Sequence, residues 1–582
     1  MRQIGIYLSY PFELEDDLEV RSPLRPVFWA GIAIALIYGP WLWNGTFVRW
    51  DLNMVAEPLL GIRSLGDYFS ALGTPRLWDL QPVRDFSYFV DFQLAGVFGP
   101  RVFQLSNILI FAGILFWVRR VLRRASSSMK GPGAKAAEWG IVFLAAHPAI
   151  VSSVCWIAAR KHLLSCFFIL GATDSFLALL QKKPASRWAR GWPVVGYLLS
   201  VFSQPITLLW PVWAWLHSRS ENSAARTRVR GIIVATGVLA IFVAVANSRY
   251  YANSYSAQSG VAKWVPFDWS TLGVGFLAQG RYFLDCIWPF GISPLYGVFS
   301  VANGVGLLLA ILFFGFSARE FGARACASWT AFYLLPLLVV TFPMTHVFAL
   351  DSYLLTPLVG FWVLATRWAE TRIQTRTQSK TFTRSAIRGW LVIAASLTIA
   401  SAWGTVDWRS DTRLWTRVLS ERDSEFVRVK LADAWYREGD FARARLAANE
   451  IAARFPESED VPLLFARSVY SDRLLKSADK VHLLQSTPHR NEWTAYYLAS
   501  VFAGEGRFQE AADVMLPVLM GAKTRFGSEL PMIVAEAEAF CARAGSTRCE
   551  GLKAHVKSMS AADPRIQWNE SAYLRRSMEL TR

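Results

Sequence analysis

Apolar residues come in long runs through the first two thirds of the chain and in helical periodicity afterwards. About 20 consecutive apolar residues can cross a bilayer as one helix, whereas apolar positions three and four apart mark a helix half-exposed to water. The pattern predicts an all-α chain in three parts: a polar segment 1–25, a membrane part 26–407 and a water-facing part 408–582. Single runs over Pro26–Leu42, Val102–Val118, Gly231–Ala246, Gly304–Phe316, Trp329–Phe342, Ser352–Ala365 and Trp390–Ala402 read as spans. Trp139–Ala146 and Leu163–Leu180 read as a membrane hairpin whose tip meets water. Trp192–Leu216, interrupted at Ser203–Pro205 and Pro211, reads as two short helices entering and leaving on one side. Prolines break Gly273–Tyr296. The count is about 11–13 spans, with a long loop over Asn44–Val97 after the first.

Charge orients these spans. Val118–Lys135, Gln181–Arg190, Arg226–Arg230, Arg319 with Arg324, and Arg367–Arg388 are basic, and the alternate loops are not. Under the positive-inside bias the N-terminus is cytoplasmic and the C-terminal part lies outside, which in a bacterium means an inner-membrane protein with a periplasmic tail. The polar opening, with its acidic cluster Glu13–Glu19, reads as a cytoplasmic segment and not as a signal peptide. The net charge of +17 sits mostly in short loops between apolar runs, so it favours anionic lipid and argues against nucleic acid as a partner.

The tail repeats itself. Gly439, Phe441 and Ala444 recur as Gly506, Phe508 and Ala511, and Arg473, Leu475 and Ala478 fall midway in the same frame. A period of about 34 residues is the tetratricopeptide spacing, which predicts an α-solenoid of paired helices able to bind an extracytoplasmic protein or peptide. Cys541 and Cys549 flank a predicted helix–helix turn at Ala544–Thr547, close enough for a disulfide in an oxidising compartment. Cys155, Cys166, Cys286 and Cys326 read as small buried hydrophobes, and no Cys or His cluster suggests zinc.

The stretch His147–Ser165 carries the most specific pattern, H-P-x-x-x-x-S-V-x-W-I-x-x-R-K-x-L-L-S. It resembles the signature of bacterial multispanning proteins with C-terminal tetratricopeptide repeats, which are similar to the transmembrane and tetratricopeptide repeat O-mannosyltransferases of the GT-C glycosyltransferase class. The resemblance runs in order along nearly the whole chain, through F-V-R-W-D-L at Asp51, Pro82 to Asp91, Leu105 and Asn107, Pro205, Trp288–Pro289, Asp351 to Pro357, and Trp408–Trp415. It implies a GT-C-like membrane domain that transfers a sugar from a polyprenyl phosphate to an extracytoplasmic protein presented by the repeats. Asp51 would be the base or the ligand of a divalent metal, and Arg160 with Lys161 would hold the leaving phosphate. His147, His162, Asp91, Asp351 and Arg84 would support them, and Asp51, His147, Arg160, Lys161 and Asp351 would line one cavity at the outer membrane face.

The departures point one way. Leu52 stands where the resemblance implies a second acid, Gln81 and Gln204 where it implies cations, and Gln104 where it implies His. Ile150, Ser152 and His162 replace a His, a Glu and an acid, and Ser352 replaces an Arg, with Asp85, Arg84, His162 and His346 as the groups that could take over. A catalytic unit stripped of several members loses most of its rate, so the alternative is a catalytically decayed GT-C-like scaffold whose repeats assemble an envelope complex. A transporter is disfavoured, because no charge pair or inverted repeat is visible within the membrane runs.

Overall fold

The computed structural model describes residues 25–44, 51, 55, 62, 64–72, 80–125, 132–181, 187–258, 269–290, 292–293, 296–297, 300–341, 348–349, 351–376, 380–487, 491–521, 529–562 and 570–581. The segment 1–24, most of the basic loop after Arg124 and His346 lie outside these. Helices make up nearly everything described; a two-residue antiparallel ladder pairs Tyr296 with Ala349 and Gly297 with Phe348.

The first part of the chain is a bundle of α1 (Arg25–Asn44), α2 (Leu65–Leu72), α3 (Pro82–Phe98), α4 (Val102–Ala125), α5 (Pro132–Ala145), the short α6 (Val151–Cys155), α7 (Arg160–Leu180), α8 (Arg187–Ser203), α9 (Trp210–Ser218), α10 (Ser223–Gln258), α11 (Trp269–Ile287), α12 (Val301–Phe321), α13 (Ala323–Thr341), α14 (Leu355–Arg376) and α15 (Lys380–Asp407). Among the described residues five segments are long and apolar enough to cross a membrane: Pro26–Trp43, Val102–Ala125, Ile157–Leu180, Ser223–Arg249 and Val301–Glu320. Two shorter apolar helices cover Ala323–Val339 and Val392–Asp407. The other described helices of the bundle fall outside these limits of length and apolarity, and the expected 11–13 spans had counted several of them as well.

The central element is α7, 72% of whose apolar window is buried inside the protein, against 17% for α10 on the outside. Against α7 pack α4, α8, α14 and the start of α10. Glycine lets α11 and α12 cross closely: a Cβ on Gly280 would collide with the Asn303 carbonyl, and one on Gly306 with the Gly280 carbonyl. In a bilayer, where lipid and leucine are equally apolar, such close backbone approach is a main source of helix association.

Three expectations are corrected. The long loop over Asn44–Val97 contains α2 and α3. Helix α3 buries Arg84, Tyr88, Phe89 and Asp91, whereas Phe86, Val90, Leu94 and Val97 are exposed, so two charged side chains face inward while a row of apolar ones faces outward. A search for apolar runs misses such a helix, because the inner polar positions interrupt the run. The Arg367–Arg388 loop is helical to Arg376 and again from Lys380. The hairpin tip does not meet water: every residue from Ile141 to Arg160 is buried. Two 3-10 turns, Pro148–Ile150 and Ile157–Ala159, fold α6 back under its neighbours. The interruption in Trp192–Leu216 falls at Gln204–Pro205, between α8 and α9.

The second part is a run of helix pairs: α16 (Asp411–Glu421), α17 (Glu425–Arg437) with α18 (Phe441–Arg454), α19 (Asp460–Ser471) with α20 (Ser477–Ser486), α21 (Glu492–Gly504) with α22 (Phe508–Met520), α23 (Leu530–Arg543) with α24 (Leu552–Ala562), and α25 (Glu570–Thr581). Gly439 and Gly506 sit at equivalent turns with φ of +86° and +76°, a backbone that disfavours any Cβ. Side chains of Ser410, Ser424, Asp440 and Asn491 accept from the first free N–H groups of the helices they precede. Each pair packs on the next, and the core of the bundle continues without interruption into α16 and α17 through Trp408, Leu414, Trp415, Val418 and Val427.

Candidate functional site

The motif residues converge at one end of the bundle, and most of them are used up by the chain itself. Asp51 is fully buried, and its Oδ1 accepts from the backbone N–H of Ala158 at 2.7 Å. Arg160, two residues on, is fully buried as well. Its Nε donates to Asn107 Oδ1 at 2.7 Å, its Nη2 to the Phe103 carbonyl at 2.6 Å, and its Nη1 forms an ion pair with Asp91. Its guanidinium lies 4.9 Å from the Tyr88 ring centre, and the Tyr88 hydroxyl donates to the Ile157 carbonyl at 2.9 Å. A guanidinium has five N–H donors in a planar fork, and here residues of two neighbouring helices close around it. Arg160 is therefore a clamp that holds α3 and α4 against the head of α7, not an exposed phosphate ligand. Lys161, one position further on α7, is partly exposed.

The supporting residues are also engaged. His147 accepts from the Ala149 N–H through Nδ1 at 3.3 Å, and its Nε2 lies 3.4 Å from the Cys286 carbonyl, so it caps the turn at Pro148. Arg84 donates to Gln81 Oε1 at 2.8 Å and to Asp85 Oδ1 at 2.7 Å. Gln81 in turn donates to Gln204, so the two amides that stand in place of the implied cations are bonded to each other across α3 and the α8–α9 junction. His162 is buried edge-on to Tyr353 at 5.1 Å, and neither ring nitrogen has a hydrogen-bond partner among the described residues. Charge pairs within the bundle, expected to be absent, are present: Asp91 with Arg160, Asp174 with Arg120 and Arg124, and Asp285 with Arg281. The first two escape the sequence because the partners lie at least 50 residues apart.

A cavity of about 310 Å³ opens where the bundle meets the helix pairs. Pro148 and Ser152 line it from the motif stretch, Pro289 from the segment after α11, and Asp351 from the turn before α14. Trp403 and Asp407 come from the end of α15, Trp408 follows it, and Arg417 comes from α16. Of the five residues expected to share a cavity only Asp351 lines this one; Asp51 and Arg160 are buried and bonded to other parts of the chain. Asp407 and Arg417 were not singled out in the sequence, although they flank the Trp408–Trp415 stretch. Among the described residues no three His, Cys, Asp or Glu side chains come together as a metal site.

The helix pairs present a second surface. Tyr436 on α17, Arg467 and Tyr470 on α19, and Tyr496 and Tyr497 on α21 line up across the first helices of successive pairs, half-buried except for the exposed Tyr470. Arg467 lies 4.4 Å over the Tyr436 ring and pairs with Asp433, and the rings of Tyr470 and Tyr497 are 5.4 Å apart. Burial, foremost, pushes the Tyr497 phenol up to about 12. Further along, Cys541 and Cys549 are joined in a disulfide with Cα atoms 6.0 Å apart, and Gly545 turns the chain between them with φ of +64°.

No family model, curated protein or solved structure matches the chain.

Proposed function

We propose that this protein is an integral-membrane scaffold of GT-C-like shape, catalytically decayed at its Asp51–Arg160 centre, whose tetratricopeptide-type array holds an extracytoplasmic protein in an envelope assembly. The observation that carries this reading is the complete enclosure of Asp51 and Arg160, each satisfied by the chain itself. A base must reach the acceptor hydroxyl and a cation must reach the leaving phosphate, and neither group is placed to do so. The Gln81–Gln204 pair supports the same reading, since two neutral amides that satisfy each other cannot answer a phosphate charge. The aromatic stripe on α17, α19 and α21 is the surface we assign to the protein partner, because Tyr and Arg are the side chains interfaces favour. The bundle lies in a bacterial inner membrane with its basic ends cytoplasmic. Arg228 and Arg367 donate to the carbonyls of Leu180 and Ala125, which gathers those ends on one side.

Glycosyl transfer from a polyprenyl-phosphate sugar remains the second reading, favoured by the Asp351 cavity beside Pro148 and Ser152. One experiment separates the two. A deletion strain complemented with Asp51→Asn, which keeps an oxygen acceptor for Ala158, should regain envelope function and show an unchanged surface glycan profile. Loss of a glycan in both the deletion and the Asp51→Asn strain would establish the enzyme.

A further inference from the structure

We infer that the basic end of the bundle binds the phosphate of an anionic glycerophospholipid, of the phosphatidylglycerol type, in the notch that α4 and α8 form over α7. The inference needs the bundle to sit in a membrane, as we propose, and is independent of what the bundle catalyses or the helix pairs hold. Helices α4 and α8 both pack along α7. At Gly171 of α7 the indoles of Trp117 from α4 and Trp192 from α8 lie against the helix: a Cβ there would stand 2.9 Å from Trp192 Nε1 and 3.2 Å from the Trp117 ring. Within about a turn, towards the basic end, come Asp174 on α7, Arg120 and then Arg124 on α4, and Arg190 on α8.

Three guanidiniums there meet one carboxylate. Arg120 donates to Asp174 Oδ2 from Nε and Nη2, each at 3.0 Å, and Arg124 donates to the same carboxylate from its own Nε and Nη2. Among the described residues Nη1 of both arginines has no partner, and Arg190 is exposed and unpaired. Positive charge is therefore in surplus even with Asp174 fully engaged. Arg120 is also fixed in place, its guanidinium 5.7 Å from the ring centres of Phe116 and Trp117, yet it remains 43% exposed. Its depth suits a headgroup: Arg119 and Arg120 are the first charges after the apolar run Val102–Val118, and Phe116 just before them is 55% exposed. A spanning helix leaves the hydrocarbon at such a boundary, where lipid phosphates lie, and basic pockets between helices on the cytoplasmic side are headgroup sites.

The surplus selects the headgroup. The N–H groups of a guanidinium match phosphate oxygens in charge-assisted hydrogen bonds. Phosphatidylcholine carries its own cation, which the surplus charge repels, whereas phosphatidylglycerol carries none. Inorganic phosphate would meet the same N–H groups but bring no acyl chain to lie along Phe116 and the apolar face of α4.

The test uses the purified full chain in a neutral detergent, titrated with short-chain phosphatidylglycerol, short-chain phosphatidylcholine or inorganic phosphate, with native mass spectrometry counting the bound ligand. Phosphatidylglycerol should bind roughly tenfold or more tightly than either of the others. Arg120→Gln and Arg190→Gln should each weaken it by roughly tenfold, the scale expected when one charge-assisted contact is lost. Arg443→Gln, at an exposed arginine of the helix pairs, should leave it unchanged. Thermal unfolding of each variant without lipid separates a folding defect from a binding one, and Arg190, unpaired among the described residues, can be replaced without breaking an ion pair. Equal binding of phosphatidylcholine or of inorganic phosphate, unchanged affinity in either folded variant, or an equal loss in Arg443→Gln would each overturn the inference.

Discussion

The two ends of the bundle each bury an Asp–Arg cluster, and the difference lies in what surrounds the arginine. At the motif end Arg160 is entirely enclosed, with Asp91, Asn107 and the Phe103 carbonyl around it. At the basic end Asp174 on α7 is the enclosed partner, met by Arg120 and Arg124 from α4, and Arg120 is 43% exposed. A third pairing, Asp423 with Arg428 and Arg454, lies on the surface of the helix pairs. The same two side-chain types thus appear at three depths. Depth decides what each is worth: an enclosed charge that loses its partner has no water to turn to, whereas an exposed one does.

The largest effect is expected at Arg160. Arg160→Met leaves Asp91 buried with only the Ser106 hydroxyl, which donates at 2.7 Å, and should cost about 3–5 kcal/mol of stability. Arg160→Lys should not restore it, because one ammonium cannot serve Asn107, Phe103 and Asp91 together. Adding Asp91→Leu to Arg160→Met should recover much of the loss, since removing both charges is far cheaper than stranding one. Unfolding in detergent gives all four values; a neutral Arg160→Met would return Arg160 to the list of functional cations.

At the other end Asp174→Asn should cost less, about 1–2 kcal/mol, because the guanidinium of Arg120 already reaches water and that of Arg124 is close to it. Gln181 also donates to the Arg124 carbonyl at 3.0 Å, which keeps the end of α4 anchored when the ion pair is gone. A cost equal to that of Arg160→Met would mean that the two ends are equally dry, contrary to the placement we propose for the basic end at a membrane face.

How much of this the sequence disclosed follows the same division between local and distant. The helix pairs were legible because their signals are local: Gly439 and Gly506 must turn the chain, and Phe and Ala recur at fixed offsets from them. The apolar helices were legible as runs. Helix α3 was not, since Arg84 and Asp91 face inward beside Tyr88 and Phe89 while Phe86, Val90, Leu94 and Val97 face outward, so no apolar run marks it. The His147–Ser165 stretch showed that something specific was built there, but not that it is closed. The partners of Arg160 lie 53, 57 and 69 residues away in sequence, and no spacing rule reaches that far. The junction cavity needed Asp351, Asp407 and Arg417 from three separate elements, so it became visible only once the chain was folded.

The surface pairing offers the smallest effect and the cleanest sign. Arg428 donates to Asp423 at 2.6 and 2.9 Å and Arg454 at 2.7 Å. Those hydrogen bonds, Arg428 first, hold the Asp423 carboxyl at about 2, below its ordinary 3.8. A carboxyl whose folded value lies below its unfolded one stabilises the fold where it is ionised in both states, and that contribution is lost as pH falls through the folded value. The advantage of wild type over Asp423→Asn should therefore be steady above about pH 4 and disappear toward pH 2. Because the carboxylate is exposed, 1 M salt should shrink it as well, with a screening length of only about 3 Å. The Asp91–Arg160 pair, out of reach of ions, should keep its contribution in the same salt. Thermal unfolding of wild type, Asp423→Asn and Arg160→Met across pH and salt measures both; equal salt sensitivity at the two sites would refute the depth argument.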